Sequence, residues 1–453
     1  MLTQKHKYFP FLMWLFPLAF FAFQFILRLW PGLMMHQIMA QFSINASQFG
    51  LIAAFYYYGY AGMQIPVALL LERFGARYIV FAFAMLCGIA TILFTYSNSL
   101  YLACFSRFLV GAGSAVGFLG ISKVLSEWFP AKQYTKMVGF SFSVGLLGAI
   151  YGGKPINALI ETYHWKNVAL TLAMLSMVIA CGAYIVMRSA QKQEVPSEGS
   201  FQLSYLKTIL SSPPICLLAL SNLLMVGSLE GFSDVWGVPY LMTAYGISKS
   251  TAAELISFVF FGMLFGGPVL AWCSEKSGNY KVIACCGVGM ALAFAILLLT
   301  QQYHWWSLAL LFFSIGVMCC YQVIVFAAGA DLVKAQYLGV TIAFLNCINM
   351  LGGSLFHTVI GRLMDIFWTG ALDSEGIKQY SLAAYHCALA FIPLCAIVGA
   401  IIVFGLGYSK IKRNFMEANT CGINSKKMHF SVDNRLEKGR IHISPTLATL
   451  IKN

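Results

Sequence analysis

Hydrophobic and polar positions along this chain form long apolar runs with short polar breaks, not the alternation or narrow stripes of soluble strands and surface helices. Runs long enough to cross a bilayer as helices extend from about residue 9 past Leu33, then over 46-71, 77-96, 101-125, 137-158 and 167-188. After a polar stretch with Lys192, Glu194, Pro196, Glu198 and Gly199, further runs cover 214-241, 248-272, 281-299, 304-330, 337-361 and 383-406. The pattern predicts an all-α membrane protein of twelve transmembrane helices in two pseudo-symmetric six-helix halves. The halves are 1-188 and 214-407, with a cytoplasmic linker over 189-213 and a basic cytoplasmic tail over 408-453. The first run follows Lys5 and Lys7, as in a signal peptide. It has no small-residue cleavage site and continues past Leu33 with Arg28 near its end, so it reads as a retained helix.

The most informative polar break is Glu72-Arg73-Phe-Gly75-Ala-Arg77, where an apolar run ends and another resumes at Tyr78. Gly75 permits the positive φ of a sharp reversal, and Arg73 and Arg77 belong at headgroups on the cytoplasmic side. Glu275, Lys276 and Gly278 repeat Glu72, Arg73 and Gly75 at a displacement of 203 positions. Gly339, Gly352 and Gly353 repeat Gly139, Gly152 and Gly153 at a displacement of 200. A chain repeating itself in this way is built of two homologous halves.

Composition agrees: with 59% hydrophobic and 10% charged residues, a chain of 453 residues has too little polar surface to cover a soluble globule. The net charge of +13 needs no nucleic acid. Arg73, Arg77, Lys132, Lys136, Arg188, Lys192, Lys207, Lys276, Lys281 and Lys334 all fall on one side of the twelve-helix topology, as the positive-inside rule requires. The other side has chiefly Lys166, Lys249, Arg362 and Lys378. Beyond Tyr408, Lys410, Lys412, Arg413, Lys426 and Lys427 make a flexible tail suited to an anionic lipid surface. Most of the 13 cysteines lie within apolar runs, with no CxxC pair and no His at ligand spacing, and read as small buried hydrophobes.

The hairpin Glu72-Arg73-x-Gly75-x-Arg77 resembles the loop 2-3 signature of the major facilitator superfamily, with Glu72 in place of the usual Asp. Arg107-x-x-x-Gly111-x-Gly113 resembles its helix 4 motif. The resemblance implies a two-half transporter in which the loop charges latch an inner gate, a role carried onto Glu72, Arg73, Gly75, Arg77, Glu275, Lys276 and Gly278. Tyr56-Tyr-Tyr-x-Tyr60-x-x-x-Gln64-x-Pro66, Trp128-Phe129-Pro130 and Trp236-Gly237-Val-Pro239-Tyr240-Leu241 look like a bacterial branch similar to the lysosomal dipeptide uniporter. Peptides or amino-acid-like solutes are then the expected substrates. The acidic residue of helix 4 and arginine of helix 5 that grip a dipeptide in such carriers align here with Ala115 and Leu146, so the charged ends of a substrate need other partners.

Ionisable groups at membrane depth are costly and mark function by default. Arg28 lies about 19 residues into the first helix, in its outer half at 1.5 Å per residue, where it serves a site or snorkels to headgroups beside Trp30. Aligning Trp30 with Trp236 sets Asp234 opposite Arg28, with Glu230 one turn deeper, so that the carboxylates can pair with Arg28 or carry a proton. Lys123, and Lys154 beside Gly152 and Gly153, serve as anchors or face a cavity. Tyr57 and Gln64 share one face of helix 2. Gln322, Asn346 and Asn349 offer hydrogen bonds at depth, to substrate or between helices.

These readings predict a carrier that works by alternating access. Its partners are a small solute, protons and the bilayer, without nucleic acid, and it acts as a monomer in a bacterial inner membrane with both termini cytoplasmic. An organic anion or sugar acid is the alternative substrate, and a solute sensor on the same fold the alternative class. No HExxH, GxSxG or Walker motif is present, so no enzyme, cofactor or metal is expected.

Overall fold

Apolar runs fold as helices because lipid offers no other partner to backbone N–H and C=O groups. In the computed structural model, which describes residues 9–188, 203–300, 302, 304–334 and 337–420, the first half comprises α1 Phe9–Leu33, α2 Ala46–Phe74, α3 Ala76–Tyr96, α4 Leu100–Trp128, α5 Ala131–Tyr151 and α6 Trp165–Val186. The second comprises α7 Pro213–Tyr245, α8 Lys249–Ser277, α9 Asn279–Leu299, α10 Trp305–Ala330, α11 Leu338–Ile366 and α12 Leu382–Ser409. Among the described residues, 10 helices are long and apolar enough to cross a membrane alone. The others, α2 with Gln64, Glu72 and Arg73 and α5 with Lys132 and Lys136, are more polar, and are spans by their place in the bundle.

Packing repeats between the halves. In the first, α2 packs on α4, α3 on α6 and α1 on α5; in the second, α8 packs on α10, α9 on α12 and α7 on α11. The halves meet along α2 and α11, α5 and α8, and α1 and α7. Gly75 and Gly278 have φ of 79° and 88°, so both copies of the charged hairpin turn through the same glycine geometry.

Several boundaries differ from the hydropathy pattern. α5 starts at Ala131, directly after Pro130 with its preset φ of −58°. Polar first turns hid this start. After Gly152 and Gly153 the span resumes as Lys154–Thr162, and a short helix Met35–Phe42 precedes α2 at a bend of 108°. Part of the linker is helical, Leu203–Leu210, and the last helix runs on to Thr420 where a flexible tail was expected from Tyr408. Lys5, Lys7, Lys192, Glu194, Pro196, Glu198, Gly199, Lys426 and Lys427 lie outside the described residues.

The molecule is closed on one side. On the face opposite the Arg73 hairpin, here the far face, Asp365 of α11 accepts from the Ser47 N–H of α2 at 2.8 Å, and Lys154 pairs with Glu254 of α8 at 2.8 Å. Deeper in the bundle the Ser354 hydroxyl reaches the Ala54 carbonyl at 3.4 Å and, past the midplane toward the Arg73 hairpin, Cys347 reaches the Ala61 carbonyl at 3.6 Å. A Cβ on Gly32 or Gly153 would strike the opposite half. The halves are therefore apposed on the far face.

Candidate functional site

Arg28 is placed by a helix that its own sequence weakens. Pro31 has no N–H for the Leu27 carbonyl four residues earlier. Arg107 of α4 supplies the missing donor, its Nη1 2.9 Å from that oxygen, while its guanidinium lies 5.0 Å from the Tyr56 ring centre. The helix 4 glycines make this reach possible, because a Cβ on Gly111 would strike the Tyr56 backbone and one on Gly113 would meet the Phe83 carbonyl.

The facing helix is irregular as well. Residues Gly227–Trp236 of α7 form a π-helix, where a regular α-helix was read from the sequence. The Gly237 N–H bonds to the Phe232 carbonyl five residues back, and Pro239 takes the helical donor from Val235. Gly227 and Gly231 let the wound segment sit against Phe356 of α11. Its widened turn presents Glu230 and Asp234 together to α1.

The three charges meet at the interface of the halves. Arg28 Nη2 lies 2.6 Å from Glu230 Oε2, and Arg28 Nε donates to Asp234 Oδ2. The Tyr57 hydroxyl of α2 donates to the same oxygen, and its ring centre is 5.5 Å from the guanidinium carbon. The Glu230 and Asp234 side chains are each 1% exposed and that of Arg28 10%. On the far side of Asp234, a cleft lined by Gly32, Gly153, Ser233 and Ser257 has room for about one water molecule.

Other expected site residues stand apart from this centre. Gln64 is buried lower on α2, where Tyr60 interacts with it and with Gln24. Asn349 donates to Gln322 at 3.4 Å, linking α11 to α10, and Asn346 is half-buried one turn away. Lys123 pairs with Glu127 on its own helix at 3.2 Å, and Lys154 belongs to the far-face tie with Glu254. Arg77 donates to the Tyr184 carbonyl at 2.8 Å, Arg73 covers Phe74, and Lys276 covers Trp272 at 3.8 Å. Glu72 and Glu275 are exposed. Ala115 and Leu146 are buried.

Sequence reasoning missed His357, fully buried on α11 with its ring centre 5.3 Å from that of Tyr57. A histidine inside the apolar run 337-361 was the available signal.

A family model described as Major Facilitator Superfamily matches residues 13–357 and 218–414. The chain belongs to the major facilitator superfamily. It is similar to the uncharacterized transporter YybO of Bacillus subtilis (strain 168), 21% identical over 73% of this chain and 81% of that one. The probable galactarate/D-glucarate transporter GudP of Escherichia coli (strain K12) is 22% identical over 78% of this chain and 85% of the relative. The membrane sensor protein UhpC of Escherichia coli (strain K12) is 23% identical over 79% and 85%. In fold, it is similar to a bacterial homolog of the human lysosomal transporter Spinster in an inward-facing, occupied conformation, with a TM-score of 0.72 and 17% identity over 90% of this chain and 98% of the other. This superfamily member is a multi-pass membrane transporter and not an enzyme.

Proposed function

We propose that the protein is a proton-linked carrier of a small carboxylate-bearing solute, working by alternating access in a bacterial inner membrane with the Arg73 hairpin in the cytoplasm. The observation that carries this reading is Arg28, held between Glu230 and Asp234 where the halves meet. One guanidinium neutralises only one of two buried carboxylates, so in low dielectric the trio carries an excess negative charge that favours binding a proton. A proton on either carboxylate frees part of the Arg28 fork for a substrate carboxylate, which couples proton and anion binding. Gln64, Gln322, Asn346 and Asn349 suit the hydroxyls of a sugar acid, and the likeness to a galactarate/D-glucarate transporter favours that class.

A peptide or amino acid is the second reading, favoured by acids standing beside the base: Arg28 would take its carboxylate and Glu230 its ammonium. The test is uptake by proteoliposomes of D-glucarate, D-galactonate, alanyl-alanine and neutral glucose, with and without an inward proton gradient. Gradient-stimulated uptake of the sugar acids supports the first reading, and uptake of alanyl-alanine alone the second. Uptake of glucose alone sinks both.

A further inference from the structure

His357 has no task in the transport cycle as described so far. Neither of its ring nitrogens has a hydrogen-bond partner among the described residues. A buried polar group without a partner is costly and rarely kept without use. Its place in the bundle indicates the use. A Cβ on Gly50 of α2 would strike the His357 carbonyl and touch Trp236, so α11 approaches α2 closely here. Gly50 is roughly 10 Å nearer the far face than Tyr57 at 1.5 Å per residue. Going inward from the far face, the polar groups at this seam are Asp365, then His357, then Tyr57 and Asp234.

We propose that His357 takes up the transported proton from the far face and passes it to Asp234 through the Tyr57 hydroxyl. This deepens the proton-linked reading above and rests on it. With the far side open, a bath proton adds to the free imine nitrogen and gives an imidazolium. As the halves close, the imidazolium N–H gives its proton to the Tyr57 oxygen while the Tyr57 O–H proton passes to Asp234 Oδ2 along the bond seen in the closed structure. His357 loses one proton, Asp234 gains one, and Tyr57 ends as it began.

The driving force is burial first, which takes the imidazolium out of water, and repulsion second. Closure brings His357 of the second half against two cations of the first, Arg28 on α1 and Arg107 on α4. The other titratable groups at this seam are Tyr57 on α2, Asp234 and Glu230 on α7 and, toward the far face, Asp365 on α11 with its partners Lys378 and Tyr380. Tyr385 and His386 of α12 stand against Tyr240, and the Tyr321 hydroxyl of α10 donates to the Asn222 carbonyl. Once protonated, Asp234 releases part of Arg28 for the substrate.

The test is solid-state nitrogen-15 spectroscopy of the full chain in liposomes, labelled at histidine, with the His357 signal assigned by its loss in His357→Gln. Gly153→Trp wedges α5 from α8 and holds the far side open; Gly361→Trp does so between α2 and α11, should the first variant fail to fold. In the wedged protein the signal should titrate between about pH 5 and 8, and in the unwedged protein it should not follow that curve. A signal that fails to titrate in the wedged protein, or titrates identically in both, overturns the proposal. No substrate is needed, so the substrate reading can fail separately. In transport, with D-glucarate or alanyl-alanine as the probe, His357→Gln should keep exchange and lose accumulation driven by the proton gradient. Accumulation that survives overturns the assignment.

Discussion

Arg107 donates to the Leu27 carbonyl at 2.9 Å, replacing the backbone donor that Pro31 lacks. This bond fixes the turn that carries Arg28, so its loss should loosen the charge site. Arg107→Ala is expected to cost about 1–3 kcal/mol of stability, with slower transport. Pro31→Ala returns the backbone donor, and in its background the same change should cost much less. Thermal unfolding of the two single variants and the double variant in detergent measures this coupling. Strictly additive losses would show that Arg107 and Pro31 act independently.

What could be read from the sequence followed physical rules of differing strength. Lipid forces helices and a repeated motif exposes duplication, so the two halves and the paired turns at Gly75 and Gly278 were legible. Arg28, Glu230 and Asp234 were legible because charge at depth is rare. The π-helical winding of Gly227–Trp236 was not, since it arises from packing against Phe356 and from bonds that no periodicity encodes. The start of α5 was hidden because Lys132 and Lys136 sit in helical turns beyond the apolar run. His357 was overlooked among apolar neighbours for want of a visible charge partner, and only the fold brings it to Tyr57.

The charged hairpins give a prediction about rate. Arg73 covers Phe74 and Arg77 donates to the Tyr184 carbonyl of the first half, so these contacts do not bridge the halves in this conformation. Arg73→Ala should therefore leave thermal stability in this conformation unchanged and slow net transport, because the opposite conformation loses its lock. Transport by Arg73→Ala at the wild-type rate would remove the latch role.

A pH dependence follows at the far-face loop between α11 and α12. Asp373 accepts from His36 at 2.7 Å and from the N–H groups of Glu375 and Ile377 at 2.8 Å each. The bond from His36, together with those N–H groups, holds the Asp373 carboxyl below the usual carboxylate range. A depressed acid stabilises the fold above its ordinary value near 3.9, and that contribution disappears as pH falls through the lowered value. The loop should stay ordered from neutral pH through mild acid and loosen only in strong acid, whereas Asp373→Asn loosens it throughout. Hydrogen exchange over 372–378, corrected for intrinsic rates, is the measurement. Loosening of the wild type already near pH 6 would contradict the assignment to Asp373.

The last prediction concerns the pair between α1 and α7. Arg28 reaches Asp234 and Glu230 across the interface of the halves, on the side of the molecule that is shut. Asp234 takes both the Arg28 Nε bond and the Tyr57 hydroxyl directly, while Glu230 pairs with Arg28 and interacts only secondarily with Tyr57. Removing one side of a buried pair strands the other charge at a cost of roughly 3–5 kcal/mol. Arg28→Ala should therefore be the most damaging single change, Asp234→Asn the next, and Glu230→Gln the mildest for closure. The exchange Arg28→Asp with Asp234→Arg restores opposite charges at this depth and keeps Glu230 near the new guanidinium. If the pair serves mainly to close the far face, the exchanged protein should regain part of the lost transport. If Arg28 grips the substrate, the exchange should not recover, since the guanidinium now approaches from the other half. In that case Arg28→Lys should alter the preference among the tested solutes, because an ammonium cannot reproduce the two-pronged hold on a carboxylate. Uptake rates and competition profiles of these variants in proteoliposomes decide between closure and grip.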